Sequence, residues 1–166
     1  MKQKVITLPP IRNLLHKFSD AVWMTSLDIS NMFFAIPVHK DSRNLLQFYD
    51  HRGQPCRLKR LPQGGRTSSW YANELMQKTL GHLPQVSIYC DDIYIVCRKQ
   101  EGFSQKDYYD KHIKDIDEVL QALVKAKLKV KPLKIELCRT QMEILGYQWK
   151  LGKFNLPEAK VSAITN

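Results

Sequence analysis

The sequence predicts an α+β domain in which helices cover one face of an antiparallel sheet. Its 166 residues are 43% hydrophobic, which suits a single domain with a real core. Two β-rich runs, 86–90 and 93–98, are separated only by a pair of acids, which indicates a tight hairpin. Residues 67–80 and 105–127 instead repeat apolar side chains at helical spacing. Locally paired strands with separate helices are typical of this fold class.

The first half of the chain predicts a helix, a strand that ends in an acid, and a hairpin. Residues 9–19 open with prolines and then follow a helical apolar pattern. Residues 22–29 predict a strand, and 30–36 a short turn or helix. Residues 45–49 and 55–61 predict two strands joined by the turn sequence DHRG.

The second half predicts a loop at 61–65, because proline and paired glycines break regular structure. The long helix at 105–127 has a predicted apolar stripe of Ile113, Ile116, Val119, Leu120, Leu123 and Val124. Strands are predicted near 143–149 and 153–155. The last residues, 157–166, begin as a helix with an early proline and an acid in the first turn.

Charge and composition limit the kinds of partner. Lys and Arg total 26 against 16 Asp and Glu, a formal net charge of +10 that favours nucleic acid as a partner. The four cysteines form no C-x-x-C pair, so we expect reduced thiols and no zinc ribbon. The five scattered histidines are expected at the surface. No apolar run approaches the roughly 20 residues of a membrane span, so no membrane association is expected.

Three acids occupy predicted strand ends. Asp28 ends an apolar strand, and Asp91 and Asp92 lie between two apolar strands. The ordinary interpretation is a solvated hairpin turn, since Asp is a common turn residue. However, paired acids at a tight turn repel each other unless a cation lies there. Carboxylates on adjoining strands would suit Mg²⁺, which prefers oxygen ligands.

Four short motifs follow one another along the chain. They are LDISNMFFAIP at 27–37, L-P-Q-G-x-x-x-S at 61–68, Y-C-D-D at 89–92 and L-G-Y at 145–147. In this order they resemble the first catalytic motif, the LPQG motif, the Y-x-D-D box and the primer grip of retroviral and LTR-retrotransposon reverse transcriptases. The resemblance covers nearly the whole chain. Met32, Ser69 and Cys90 depart from the usual family residues, but all three acids are present.

The resemblance implies a right-hand polymerase palm with a ferredoxin-like core. The implied reaction is template-directed transfer of a deoxynucleotidyl group from a dNTP to a primer 3′-hydroxyl. Asp28, Asp91 and Asp92 would be the catalytic residues and would hold two Mg²⁺ ions, for which Mn²⁺ could substitute. Ile29, directly after Asp28, is included among the metal contacts.

The resemblance also implies nucleotide and primer contacts. Phe33, five residues after Asp28, falls at the steric-gate position that excludes a ribose 2′-hydroxyl. Gln63 and Gly64 would lie beside the nucleotide and template. Lys134 aligns with a lysine suggested to protonate the leaving pyrophosphate, with Lys129 and Lys131 as rivals. The residues implied on the primer and template side are Tyr89, Cys90, Leu145, Gly146 and Tyr147.

On this resemblance the palm spans 1–166, with remnants of the fingers at 1–20 and 38–62 and a primer-grip hairpin at 143–155. Most of the fingers, the thumb and RNase H are expected to be absent, since few residues precede the first acid. Apolar faces left open would favour self-association or contact with the remaining polymerase subdomains.

Two other functions stay open on the sequence alone. A palm without its triphosphate grip could be a non-catalytic module that binds nucleic acid or protein. An RNA-dependent RNA polymerase also uses paired acids, although Phe33 and the LPQG segment argue against it. The expected location is the cytoplasm or a virus-like particle, with the nucleus as an alternative.

Overall fold

The computed structural model describes residues 10–65 and 67–155, which form helices, strands and their connections. The α-helices are α1 (Ile11–His16), α2 (Met32–Ala35), α3 (Ser68–Leu80) and α4 (Gln105–Lys125). The strands are β1 (Ala21–Asp28), β2 (Gln47–Tyr49), β3 (Pro55–Arg57), β4 (Val86–Tyr89), β5 (Asp92–Arg98), β6 (Glu136–Arg139), β7 (Gln141–Ile144), β8 (Tyr147–Lys150) and β9 (Lys153–Asn155). Short 3₁₀ helices lie at Lys40–Leu46 and Pro132–Lys134. Among these described helices, none has the length and apolar character to cross a membrane.

The central sheet has the strand order β4-β5-β1-β6, and all neighbours in it are antiparallel. Its strands and helices follow the chain order β1-α3-β4-β5-α4-β6, which is the split βαβ arrangement of ferredoxin-like folds. The predicted fold class is therefore confirmed. A separate hairpin of β2 and β3, and a three-stranded meander of β7, β8 and β9, complete the described part.

The two faces of the sheet bury different cores because successive strand side chains point to opposite sides. On one face, Leu27 and Ile93 pack against α3 and α4 in a cluster that includes Met76 and Val119. The opposite face is partly covered as well. There Met24, Tyr94 and Val96 pack against Phe18, Ile144 and Trp149, which come from the α1 segment and the meander. The edge of that second face, beside Asp28, stays open.

Two predicted strand boundaries were wrong. The predicted strand 143–149 is broken by a turn at Leu145-Gly146, and both residues have positive φ, 50° and 79°. Two-residue hairpin turns favour this conformation, but leucine seldom adopts it, which hid the turn in the sequence. The β2–β3 hairpin is also shorter than predicted, because residues 45–46 belong to the 3₁₀ helix that precedes it.

The structure also differs from the sequence predictions at β6 and at the hairpin that holds the acids. Strand β6 was not predicted; its ladder with β1 is interrupted, and Cys138 has a φ of 48°. The turn between β4 and β5 consists of Cys90 and Asp91, whereas Asp92 is the first residue of β5. The helix predicted at 157–166 lies outside the described residues.

The apolar stripe of α4 is centred differently from the prediction. Ile116, Val119 and Leu123 are buried as expected, but Ile113 and Val124 are 41% and 74% exposed. The stripe is completed by His112, which is fully buried, so the expectation that the histidines are at the surface was wrong for this one. Helical spacing of four residues from Ile116 places His112 in line with the stripe.

His112 links three elements of the fold. Its Nε2 lies 2.9 Å from Thr25 Oγ1 on β1, and that same oxygen accepts a hydrogen bond from the Cys138 N–H of β6. The Nδ1 atom has no partner among the described residues. Burial lowers the pKa of His112 to about 4, against about 6.5 for an exposed histidine. The imidazole is therefore neutral inside the domain at physiological pH.

We expect His112 to make the domain less stable as the pH falls. Because the unfolded chain takes up this proton at a higher pH than the folded chain, stability falls as the pH drops from 6.5 towards 4. The contribution between pH 7 and pH 5 is about 2 kcal/mol. Urea unfolding at several pH values should show this loss reduced in His112→Gln. The exposed His82→Gln variant should keep the wild-type pH dependence, and equal profiles for all three proteins would contradict the prediction.

Candidate active site

The register of the central sheet brings the predicted acids together. Asp28, the last residue of β1, is the direct antiparallel partner of Asp92, the first residue of β5. On the other side, Asp92 is paired with Tyr89 of β4. Residues opposite each other in such a ladder have Cβ atoms about 5 Å apart and share a face. Asp91 lies in the adjoining turn, so all three acids occupy one corner of the sheet.

Asp28 and Asp92 border a cavity of about 450 Å³ on the open part of the sheet face. Its lining includes Asp28, Asp92 and Lys134 together with the turn residues Leu145 and Gly146. The structure therefore brings the first acid motif, one acid of the Y-C-D-D motif, the lysine and the L-G-Y turn to one place, although 118 positions separate Asp28 from Gly146 in the chain. Asp91 is in the turn directly before Asp92.

The carboxylates destabilise one another's charged forms. Burial raises the pKa of Asp91, and the negative charge of Asp28 raises it further. Burial likewise raises the pKa of Asp92, with added contributions from Asp28 and Asp91. The positive charge of Lys134 acts in the opposite direction on both groups. A corner that raises the pKa of its acids in this way is suited to a cation.

Lys134 is the cation that the protein itself places there. Its Nζ donates a hydrogen bond of 2.7 Å to Asp28 Oδ2, and this contact raises the pKa of the lysine. The two rival lysines contribute backbone groups. The Lys131 N–H donates to the Asp28 carbonyl over 2.8 Å, and the Lys129 carbonyl accepts from the Ser30 N–H over 2.7 Å. Of the three lysines, Lys134 is the one whose ammonium is bonded to an acid of the site.

Ile29, the predicted metal contact after Asp28, does not line the cavity beside the acids. Its side chain is buried in the core beneath α3 and α4. Ile29 lies opposite Val130 in a short antiparallel bridge, whose backbone hydrogen bonds are made by the neighbouring Asp28 and Ser30. Within residues 10–65 and 67–155, no three His, Cys, Asp or Glu side chains lie close enough together to hold a metal ion. The acids are thus neighbours at one corner, with Asp28 turned towards Lys134.

The predicted steric-gate residue lies in the short helix that follows the first acid. Asn31 adopts the left-handed backbone conformation, with a φ of 50°, directly before α2. Met32 is buried, Phe33 is half-buried against the helix-side core, and Phe34 is 47% exposed. One side of the Phe33 ring therefore packs against the helix-side core.

Gln63 and Gly64 form an exposed turn, and neither lines the cavity beside the acids. Gly64 has a φ of 78°, which a side chain would disfavour. This turn is tied to the end of α2, because the Leu61 N–H donates to the Ile36 carbonyl over 3.0 Å. The LPQG loop is thus held next to the segment that carries Phe33.

The remaining predicted primer contacts lie in the β4–β5 hairpin and in the meander. Tyr89 packs against the second core and is paired with Asp92. Cys90 is exposed in the turn and has a φ of 54°. Partial desolvation of its sulfur by neighbouring atoms, followed by the charges of Asp91 and Asp92, raises the pKa of the thiol. Tyr147 begins β8 and pairs with Ile144 across the turn that holds Leu145 and Gly146.

Sequence reasoning missed Tyr94, Glu136 and Glu143, which also line the cavity. The Tyr94 hydroxyl lies 3.5 Å from Asp92 Oδ2, and burial with that neighbouring carboxylate raises the pKa of the phenol. A signal for Tyr94 was available, because it lies two residues after Asp92 in one strand and so shares its face. Glu136 and Glu143 are brought near by β6 and by a turn that was not predicted.

A ferredoxin-like sheet that carries three acids at one corner of its open face is the arrangement of a polymerase palm. A family model described as "Reverse transcriptase (RNA-dependent DNA polymerase)" matches residues 1–149, and the chain belongs to this family. The family membership that the four motifs predicted is therefore confirmed.

Curated relatives are polyproteins of retroviruses and retrotransposons. The chain is 30% identical over 146 residues to the Gag-Pol polyprotein of Walleye dermal sarcoma virus, an alignment that covers 84% of this chain and 8% of that protein. It is 28% identical to the Gag-Pol polyprotein of Gibbon ape leukemia virus, covering 95% of this chain and 10% of the relative. The Transposon Tf2-3 polyprotein of Schizosaccharomyces pombe is also 28% identical, with 89% and 10% covered.

Solved structures of foamy viral protease-reverse transcriptase share the fold. One, in complex with double-stranded DNA, has a TM-score of 0.82 and 25% identity, and the match covers 98% of this chain and 27% of that one. Another, in complex with an RNA/DNA hybrid, has a TM-score of 0.73 and 26% identity, covering 92% and 20%. The chain thus spans a small part of each relative that it matches.

Proposed function

We propose that this chain is the palm of a reverse transcriptase that transfers a deoxynucleotidyl group from a dNTP to a primer 3′-hydroxyl. The observation that carries the proposal is the cross-strand pairing of Asp28 with Asp92, with Asp91 in the adjacent turn. Three neighbouring carboxylates supply oxygen ligands of the kind that a two-metal reaction needs. They are not gathered into a metal-holding cluster in this structure, so their side chains would have to rearrange when metal binds.

Asp28, Asp91 and Asp92 would hold two Mg²⁺ ions, and Mn²⁺ could replace them. The carboxylate chemistry fits such ions, because burial and mutual repulsion already raise the pKa of Asp91 and Asp92. When bound, these ions would favour deprotonation of the primer hydroxyl and neutralise charge on the triphosphate and the leaving pyrophosphate. Tyr94 would orient Asp92 through its hydroxyl.

The other partners follow from the position of the acids. A primer and an RNA or DNA template would lie on the open face, where the turn of Leu145 and Gly146 borders the acids. The two foamy viral proteins are in complex with double-stranded DNA and with an RNA/DNA hybrid, which supports nucleic acid as the partner. The formal charge of +10 favours the same ligand.

Replacing Phe33 with alanine is expected to weaken discrimination against ribonucleotides. The half-buried Phe33 ring, supported by the core, would no longer fill the space that a 2′-hydroxyl needs. The ratio of kcat/KM for dNTP to that for NTP should fall by about tenfold or more. Single-nucleotide primer extension with matched dNTP and NTP measures this ratio.

Phe34→Ala is the matched control, because it removes the same ring one residue further on, where the side chain is 47% exposed. This variant should keep nearly the wild-type ratio. An unchanged ratio in Phe33→Ala would remove Phe33 from the sugar-recognition role.

A non-catalytic binding module is the alternative. The observation that favours it is that the acids are not gathered into a metal-binding cluster and Asp28 is paired with Lys134. A binding module would retain affinity for a primer–template duplex but would not need Mn²⁺ at the acids.

Primer extension by this chain tests the proposal directly. A DNA primer on an RNA template, dNTPs and either Mg²⁺ or Mn²⁺ should give extension that follows the template sequence. Duplex binding without extension, together with no Mn²⁺ binding that depends on the acids, would overturn the proposal in favour of the binding module.

A further inference from the structure

Lys134 occupies the side of Asp28 that faces the cavity. The Nζ–Oδ2 distance is 2.7 Å, and the lysine side chain is 56% exposed whereas the aspartate side chain is 19% exposed. The pair therefore joins a well-placed carboxylate to a long side chain that reaches it from the solvent.

The backbone around this pair is fixed independently of the ammonium. The Lys131 N–H and the Asp28 carbonyl are joined over 2.8 Å, and the Lys134 N–H bonds the Lys131 carbonyl over 3.0 Å within the 3₁₀ turn. Release of the ammonium from Asp28 would therefore need only rotation of the lysine side chain. The turn and strand β1 would keep their positions.

The charge of Lys134 acts on the whole acid corner. It lies close enough to Asp91 and Asp92 to oppose the mutual repulsion of the three carboxylates. A divalent cation would perform the same electrostatic role and would need the same oxygen of Asp28. Two cations at one carboxylate also repel each other, so their occupancies oppose each other.

We propose that Lys134 is a built-in counter-ion that competes with a divalent metal for Asp28, so that the lysine leaves the carboxylate when metal binds. This inference rests on the proposed function, because it takes Asp28 and Asp91 as metal ligands. The acid corner is then held together before metal arrives, and the released ammonium becomes available to phosphate groups only in the metal-loaded site. Lys134 is in this sense a positioning residue for Asp28.

Titration of the chain with Mn²⁺, followed by the electron paramagnetic resonance signal of the free ion, tests the proposal without measuring activity. Lys134→Met should bind Mn²⁺ about three- to tenfold more tightly than wild type. The increase has two sources, since the variant loses a partly exposed ion pair and also the repulsion between an ammonium and the dication. Lys134→Arg keeps the charge and should bind Mn²⁺ with nearly the wild-type affinity.

Lys131→Met is the matched control, because it removes the same charge three residues away from an exposed side chain. It should change the affinity less than twofold. Equal gains in Lys131→Met and Lys134→Met would overturn the inference, since bulk charge would explain both. No gain in Lys134→Met would also overturn it.

Asp28→Asn and Asp91→Asn separate this inference from the proposed function. If both variants lose Mn²⁺ binding while Lys134→Met gains none, the competition fails but the metal ligands stand. If both bind Mn²⁺ like wild type, the metal ligands themselves are wrong, and the inference fails with them.

Discussion

Asp91→Asn is expected to abolish primer extension without lowering the stability of the domain. Asparagine keeps the size of the side chain but removes the negative charge that would hold a metal ion. Metal-assisted transfer depends on several kcal/mol of charge stabilisation, so the rate should fall by about a thousandfold or more. Rates of extension under single-turnover conditions, at saturating dNTP and metal, measure the loss.

Asp91→Asn should leave the stability of the domain unchanged or raise it. Asp91 lies in the turn and makes no ladder pair in the described sheet, so its replacement leaves β4 and β5 paired. Burial and Asp28 raise its pKa, which means that the charged form is disfavoured in the folded domain. Removing the charge should therefore give a free energy of unfolding equal to or above that of wild type.

Asp110→Asn provides the control for this pair of measurements. It makes the same chemical change on the exposed face of α4, away from the acid corner, and should alter neither rate nor stability. A normal extension rate in Asp91→Asn would contradict the assignment of Asp91. A loss of rate that accompanied unfolding would instead point to a structural role.

Trp149→Ala is expected to lower the free energy of unfolding by about 3–5 kcal/mol, the usual cost of removing a large buried aromatic side chain. Trp149 is fully buried in the core between the sheet and the meander. Its Nε1–H also donates to the Phe18 carbonyl over 3.3 Å, and this bond joins the meander to the end of the α1 segment. Urea unfolding followed by circular dichroism measures the change.

Trp149→Ala should also disturb the cavity beside the acids, although Trp149 does not line it. The meander carries the Leu145-Gly146 turn beside the acids, and its other turn packs against the Ser19 carbonyl so closely that a Cβ on Gly152 would overlap it. Loss of the Trp149 core would loosen this attachment and thereby the position of Leu145. Leu151→Ala, 56% exposed on that other turn, should change stability by less than about 0.5 kcal/mol. A cost below about 1 kcal/mol for Trp149→Ala would contradict the prediction.

The sequence carried enough information for the acid corner and the fold class. Asp28 and the Tyr89-Cys90-Asp91-Asp92 stretch follow apolar strand patterns, which allow the strand ends to lie side by side. The resemblance of the four motifs to reverse transcriptases then favoured one shared site. The structure adds the register, which pairs Asp28 with Asp92 and moves the hairpin turn by one residue to Cys90 and Asp91. Register depends on contacts between distant segments, and short patterns do not determine it.

Other parts of the site could not be read from local patterns. The choice of Lys134 over Lys129 and Lys131 depends on a 3₁₀ turn that directs one side chain towards Asp28. The burial of His112 depends on its contact with Thr25 of β1, which is 87 positions away in the chain and leaves no local pattern. Glu143 lines the cavity from β7, directly before a turn in which Leu145 adopts a positive φ that its side chain disfavours, and this turn was not predicted.

Successive side chains of β1 point to opposite faces of the sheet, and this limits how the length of the strand can change in related sequences. Leu27 faces the helices, while Asp28 faces the open side with Asp92. Loss or gain of one codon within β1 would reverse every side chain beyond it, turning the acid into the core and the core residue towards the solvent. The turn DHRG between β2 and β3 has no such parity to preserve. We therefore expect related sequences to differ in length at that turn. They should keep β1 at constant length, even where most of its residues have been replaced.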